Sequence, residues 1–204
     1  MGIFHVYESE NICGLRVKTK DLGSFHNHYV DPGKVFTLNS MFGGEQWTTD
    51  TTRYVGVGLS TNTNAGVTGP TETVGTSTTG AWQGVQNEDW KLTDEINSAR
   101  VIMIYWRAGK TAHLAGTFTD SDFPATQDYI IREFGIFLGS NTNYPQANPI
   151  TWTNATNRAN AMIIRAVPYT ISGTDYIATP IPKTVGVDLT IEYDFADLEG
   201  GKSV

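Results

Sequence analysis

The chain has 204 residues, of which 39% are hydrophobic and only 17% charged, with a formal net charge of −7. That length suits one domain with room for a core without disulfides, and the acidic balance argues against an electrostatic grip on nucleic acid or an anionic membrane. A single cysteine, Cys13, excludes an internal disulfide framework and reads as a small packing residue. No apolar run approaches the ~18 residues of a membrane span, and Met1 to Val6 lack the basic-then-apolar build of a signal peptide. The expectation is a protein made in the cytoplasm and not exported.

Residues 1–50 differ from the rest. Apolar pieces are short, at Ile12–Val17 and Val35–Phe42, and the stretch between them closes on Asp31-Pro32-Gly33. This segment reads as an extended arm with one or two short elements. From Arg53 the β signals begin, with Arg53-Tyr-Val-Gly-Val-Gly-Leu59. Residues 60–80 are rich in Thr, Asn, Gly and Ser and read as a long loop suited to ordering against a neighbouring subunit. Between Trp82 and Arg100 the spacing of Leu92 and Ile96 suggests one or two helical turns.

Ala99 to Trp106 reads as one buried strand with Trp106 in the core, followed by a turn at 107–110 and a hairpin partner from Thr111 to Phe118. Further strands are expected at Tyr129–Leu138 and Ala159–Val167, separated by a second polar loop. The clearest pattern is the last. Val187, Leu189, Ile191, Tyr193 and Phe195 alternate with Asp188, Thr190, Glu192 and Asp194, which is the period of a strand with one face buried. The fold class is therefore all-β, an antiparallel β-sandwich over 51–195. An N-terminal arm precedes it, long polar loops interrupt it, and a flexible tail follows over 196–204.

Templates for chemistry fail. Ala108-Gly-Lys-Thr111 lacks the earlier glycine of a phosphate loop, and Gly56-Val-Gly58 lacks the third glycine of a dinucleotide fingerprint. His26 and His28 could face the same way on a strand, yet no further ligand stands at a metal spacing. Asp120 and Asp122 precede Phe123-Pro124 instead of a calcium-loop glycine, so they read as turn residues. Neither a metal nor a cofactor is expected, and no enzyme activity. Among the five tryptophans, Trp82, Trp90 and Trp152 border polar loops and are candidates for an interface or a glycan contact.

Glu133 and Arg165 lie in segments otherwise built for a core, where charges are normally paired. Glu133 is expected to pair with Arg100 or Arg165 as a structural brace.

The succession of Tyr54-Val-Gly-Val-Gly58, Leu92…Glu95…Arg100, a hairpin ending near Phe118, Glu133-Phe-Gly-Ile-Phe137, Met162-Ile-Ile-Arg165 and Leu189-Thr-Ile-Glu-Tyr193 spans residues 53–195. In that order it resembles a group of structural proteins from tailed-bacteriophage particles, the tail-fibre, tail and neck components. The resemblance implies a virion subunit of the neck, tail or baseplate, assembled in the host cytoplasm. It would act by protein–protein contact with other virion proteins and as a homo-oligomer, not on nucleic acid or membrane. A capsid decoration protein, a receptor- or glycan-binding module of a tail appendage and, last, a hydrolase of surface sugars are the rival expectations.

Overall fold

The computed structural model of the chain describes residues 2–26, 28–29, 33, 53–59, 92, 95–108, 111–138, 162–172 and 175–195. Strands dominate these residues and pair antiparallel, so the protein is all-β.

The best-patterned strand organises the first sheet. In β14 (Asp188–Phe195) Leu189, Ile191 and Tyr193 are buried, as their alternation requires. On one side it pairs with β1 (Gly2–Ile12), Gly2 opposite Phe195 through to Ser9 opposite Asp188. On the other it pairs with β7 (Thr111–Phe118). Outside β1 lies β2 (Leu15–His26), and outside β7 lies β6 (Ile104–Ala108), giving a five-stranded order β2-β1-β14-β7-β6.

The second sheet, also five-stranded, has the order β3-β10-β9-β4-β5. Its strands are β3 (His28–Tyr29), β4 (Arg53–Gly58), β5 (Glu95–Ile102), β9 (Glu133–Leu138) and β10 (Met162–Ala166). Two pairs stand apart from these sheets: β8 (Tyr129–Ile131) with β13 (Ile181–Lys183), and β11 (Tyr169–Ser172) with β12 (Asp175–Ala178).

One hydrophobic cluster draws on both sheets, with Phe4, Val6, Leu114, Phe118, Ile191 and Tyr193 from the first and Val55, Val57, Phe134, Ile136 and Ile164 from the second. Phe4 meets Phe134 edge-on at a centroid distance of 4.6 Å. Each such side chain contributes about 1.5–3 kcal/mol by leaving water. At Gly116 of β7 a methyl group would lie 2.6 Å from Val55 Cγ1, so the absent side chain is what lets β4 approach β7.

Several expectations are corrected. Residues 2–26 are not an extension but a long hairpin, with β1 inside the first sheet and Phe4 and Val6 fully buried. Their outward neighbours, His5 and Tyr7, and the charged Glu8 that follows hide the apolar alternation of β1, and the register shifts after Val6 and Glu8 put Leu22 and Thr19 as extra residues into β2 and break the period there. The helical spacing of Leu92 and Ile96 is overridden, since Glu95–Ile102 is a strand. The single buried strand expected to end at Trp106 is two strands in different sheets. The chain turns from β5 into β6 at buried Met103, whose N–H donates to Arg53 O at 2.8 Å.

Cys13 is likewise no packing residue. It sits exposed in the two-residue turn between β1 and β2, where it takes φ 53° and Gly14 takes φ 84°. Positive φ at both central positions matches the twist of a tight hairpin. The side chain of Asn11 closes the turn by accepting the Gly14 N–H at 2.9 Å.

Candidate functional site: a buried charge grid and exposed sheet edges

Register places the charged residues of the second sheet on the face turned away from the first. Gly56 lies opposite Arg100 on one side and Gly135 on the other, and Gly135 lies opposite Arg165. The next row holds Glu95, Gly58 and Glu133. Two arginines therefore flank two glycines, beside two glutamates that flank a third.

The pairs are direct. Arg165 Nη2 donates to Glu133 Oε2 at 2.5 Å, and both side chains are wholly out of solvent. Arg100 grips Glu95 with two hydrogen bonds, from Nε to Oε1 and from Nη2 to Oε2 at 2.9 Å. The guanidinium of Arg100 also lies 3.7 Å from the centroid of Phe137, a cation–π contact that gains strength with desolvation. Buried charges cost several kcal/mol each unless paired in good geometry, and the grid supplies that pairing. The glycines make room for it. A methyl on Gly56 would sit 2.8 Å from Glu95 Oε1 and 2.9 Å from Phe137 Cε2, and one on Gly135 would sit 2.7 Å from Met162 Sδ.

Of the expected partners, Arg165 is the one that meets Glu133, while Arg100 is clamped by Glu95. Sequence reasoning missed Glu95 as a partner because five residues along a regular strand point to opposite faces. The irregular register between Gly56 and Gly58, which sets Val57 against residues 96–99 of β5, returns Glu95 to the face of Arg100. Glu133–Arg165 ties β9 to β10, Arg100–Glu95 lies within β5, and each carboxylate of the grid is held by a guanidinium.

The edges of the first sheet contrast. Along β6, Ile104, Tyr105 and Trp106 are 71%, 51% and 41% exposed. Trp106 is thus a surface residue; its indole stacks on His113 at 5.1 Å with the planes 10° apart. Tyr105 faces the Arg53 guanidinium at 5.5 Å. The opposite edge, β2, is charged, with Arg16 paired to Asp188, Lys18 to Asp21 and Lys20 to Glu8. Beyond Ser9 the β1–β2 hairpin continues past the end of β14, and Ile12 and Leu15 at its tip are 50% and 71% exposed.

A polar chain crosses the outer face of this sheet. Ser24 Oγ lies 2.7 Å from His5 Nδ1, His5 Nε2 lies 3.4 Å from Asp194 Oδ2, and Asp194 Oδ1 lies 2.5 Å from His113 Nδ1. Serine, histidine and aspartate in contact have the composition of a nucleophilic triad, but in that device aspartate holds Nδ1 and serine meets Nε2. Here the ring stands the other way round, on an open sheet face. Beside it Tyr7 OH donates to Glu192 at 2.6 Å, and burial together with that carboxylate pushes the phenol well above its ordinary range.

The remaining expected residues fall elsewhere. Asp120 is a turn residue: Lys183 Nζ donates to its Oδ1 at 2.5 Å and Gly186 N–H to its Oδ2 at 2.8 Å. His26 ends β2 in the first sheet and His28 opens β3 in the second, so the two do not share one strand. Among the described residues no group of His, Cys, Asp and Glu could hold a metal ion. Trp82, Trp90 and Trp152 lie outside the described residues, as do the loop at 60–80 and the tail at 196–204. Comparison of the chain with protein families, with curated proteins and with solved structures gives no match.

Proposed function

We propose that this chain is a structural subunit of a tailed-phage virion, in the neck, tail or baseplate region, working by oligomeric protein–protein assembly. The sheets make a sandwich-like body whose polar side chains are spent on internal pairing, as Glu133–Arg165 and Asp120–Lys183 illustrate. The observation that carries the reading is the exposed apolar edge strand β6, a surface suited to docking on a neighbour. The order of motifs along 53–195 points to the same class of particle.

The test is composition of the particle. Purified virions should contain the chain in stoichiometric amount after stringent washing, and particles made without it should lack a defined part of the neck, tail or baseplate. Chain recovered only from the soluble lysate would end the proposal, and labelling on the capsid shell would transfer it to a decoration role.

A receptor-binding module is the second reading. It is favoured by the exposed indole of Trp106, a platform on which a sugar ring could stack. Quenching or shifting of tryptophan fluorescence by host surface oligosaccharide, lost in Trp106→Ala, would select it.

A further inference from the structure

We propose that β6 pairs with β6 of a second copy, antiparallel about a two-fold axis through Trp106, joining two five-stranded sheets into one continuous sheet. The inference deepens the assembly reading above and rests on it, since it names the partner of that edge.

An edge strand offers a row of backbone donors and acceptors, and chains that stay apart protect such rows with charge. The β2 edge is protected in this way by Arg16, Lys18 and Lys20. Among the described residues the β6 edge is not: Ile104, Tyr105 and Trp106 lie open on it, and Arg107 is the one charged residue of the strand.

Charge selects the occupant. Full overlap of the five residues of β6 with a second β6 sets Ile104 opposite Ala108, Tyr105 opposite Arg107, and Trp106 opposite itself. The cation then meets an aromatic ring, as Arg53 already does at Tyr105, and no two like charges face each other. Pairing β6 with β2 of another copy would instead bring Arg107 against a strand bearing Arg16, Lys18 and Lys20, with Asp21 as its one acid. The closed two-fold arrangement is therefore favoured over an open, head-to-tail one. A ladder of five residues is short of the ~1,200 Å² typical of stable interfaces, so the pairing is reversible and concentration-dependent.

The experiment is sedimentation velocity of the full chain over a dilution series, alongside Ile104→Lys, Trp106→Lys and, as control, Leu15→Lys at the far end of the same sheet. The expected result is a monomer–dimer equilibrium in the wild type and in Leu15→Lys, with the dimer lost in both β6 variants. Register is read separately by oxidative cross-linking of Trp106→Cys in a Cys13→Ser background, since directly opposed Cβ atoms lie ~4.5–5.5 Å apart. Self-cross-linking at 106, and none in Ile102→Cys, supports the two-fold pairing, whether or not the lysine variants fold.

A wild type that stays monomeric at every concentration, or a dimer indifferent to Ile104→Lys, overturns the inference. If such a monomer is nonetheless found in virions, the structural reading survives alone. If the dimer forms and the virion lacks the chain, the pairing survives and the virion reading falls.

Discussion

Glu133 and Arg165 meet diagonally across neighbouring strands of one sheet, both shut off from solvent, with carboxylate and guanidinium 2.5 Å apart. Neither charge could be left there alone. Removing one partner of such a pair typically costs about 3–5 kcal/mol, whereas replacing both with apolar groups of similar volume is often neutral. Glu133→Ala should lower unfolding free energy by that amount in urea titration, and Glu133→Leu with Arg165→Met should recover most of it. A loss in the double variant equal to the sum of the losses from changing each residue alone would show that the two residues act independently.

The glycine floor should be as sensitive as the charges above it. A Cβ at position 135 would approach Met162 Sδ at 2.7 Å and the Ile164 carbonyl oxygen at 3.1 Å, and the second of these belongs to the backbone. Gly135→Ala should cost about 1–3 kcal/mol, the usual penalty for overpacking. Gly14→Ala meets no atom within 4 Å but holds φ 84°, so its penalty should come from backbone strain alone. Thermal unfolding of the two variants, with Gly135→Ala unchanged from wild type, would refute the crowding argument.

Acid should weaken the turn that joins 120 to 183–186. The hydrogen bond from Lys183, then that from Gly186 N–H, holds the Asp120 carboxyl below its ordinary value. A carboxyl depressed in the folded state binds fewer protons there than in the unfolded chain. Its contribution is present above the ordinary aspartate range, near pH ~4, and is lost as pH falls through the lower folded value. Asp21 adds in the same direction through Lys18 and Gly23. Stability measured from pH 6 downward should drop below pH ~4, and Asp120→Asn should flatten that drop. An identical slope in the variant would remove Asp120 from the cause.

Cys13 occupies a left-handed position that favours asparagine or glycine. Cys13→Asn should raise stability by up to about 1 kcal/mol, and the wild-type thiol should react with a disulfide reagent at the rate of an open thiol while the protein is folded. A thiol that reacts only on unfolding would contradict its exposed place in the turn.

How much of this could be read from the chain depends on whether a pattern is local. In β14 the strict alternation of Leu189, Ile191 and Tyr193 with polar neighbours announces a half-buried strand directly. Glu133 and Arg165 could be suspected because charges inside apolar runs need partners, and a short list of arginines bounded the choice. The β1–β2 hairpin was hidden because β1 buries only alternate residues for a few positions and bulges at Thr19 and Leu22 break the phase of β2. Trp106 was misjudged because an apolar run from Val101 to Trp106 has no internal mark showing that Met103 is a corner between sheets. The Arg100–Glu95 clamp depends on a bulge, which periodicity cannot foresee.

The proposed role is that of a subunit that builds a virion. Electron cryomicroscopy of the intact virion tests it most directly. The expected result is density for a body of two five-stranded sheets, repeated by the symmetry of the neck, tail or baseplate, with β6 of one copy against β6 of another. A fully traced particle containing no such body would contradict it.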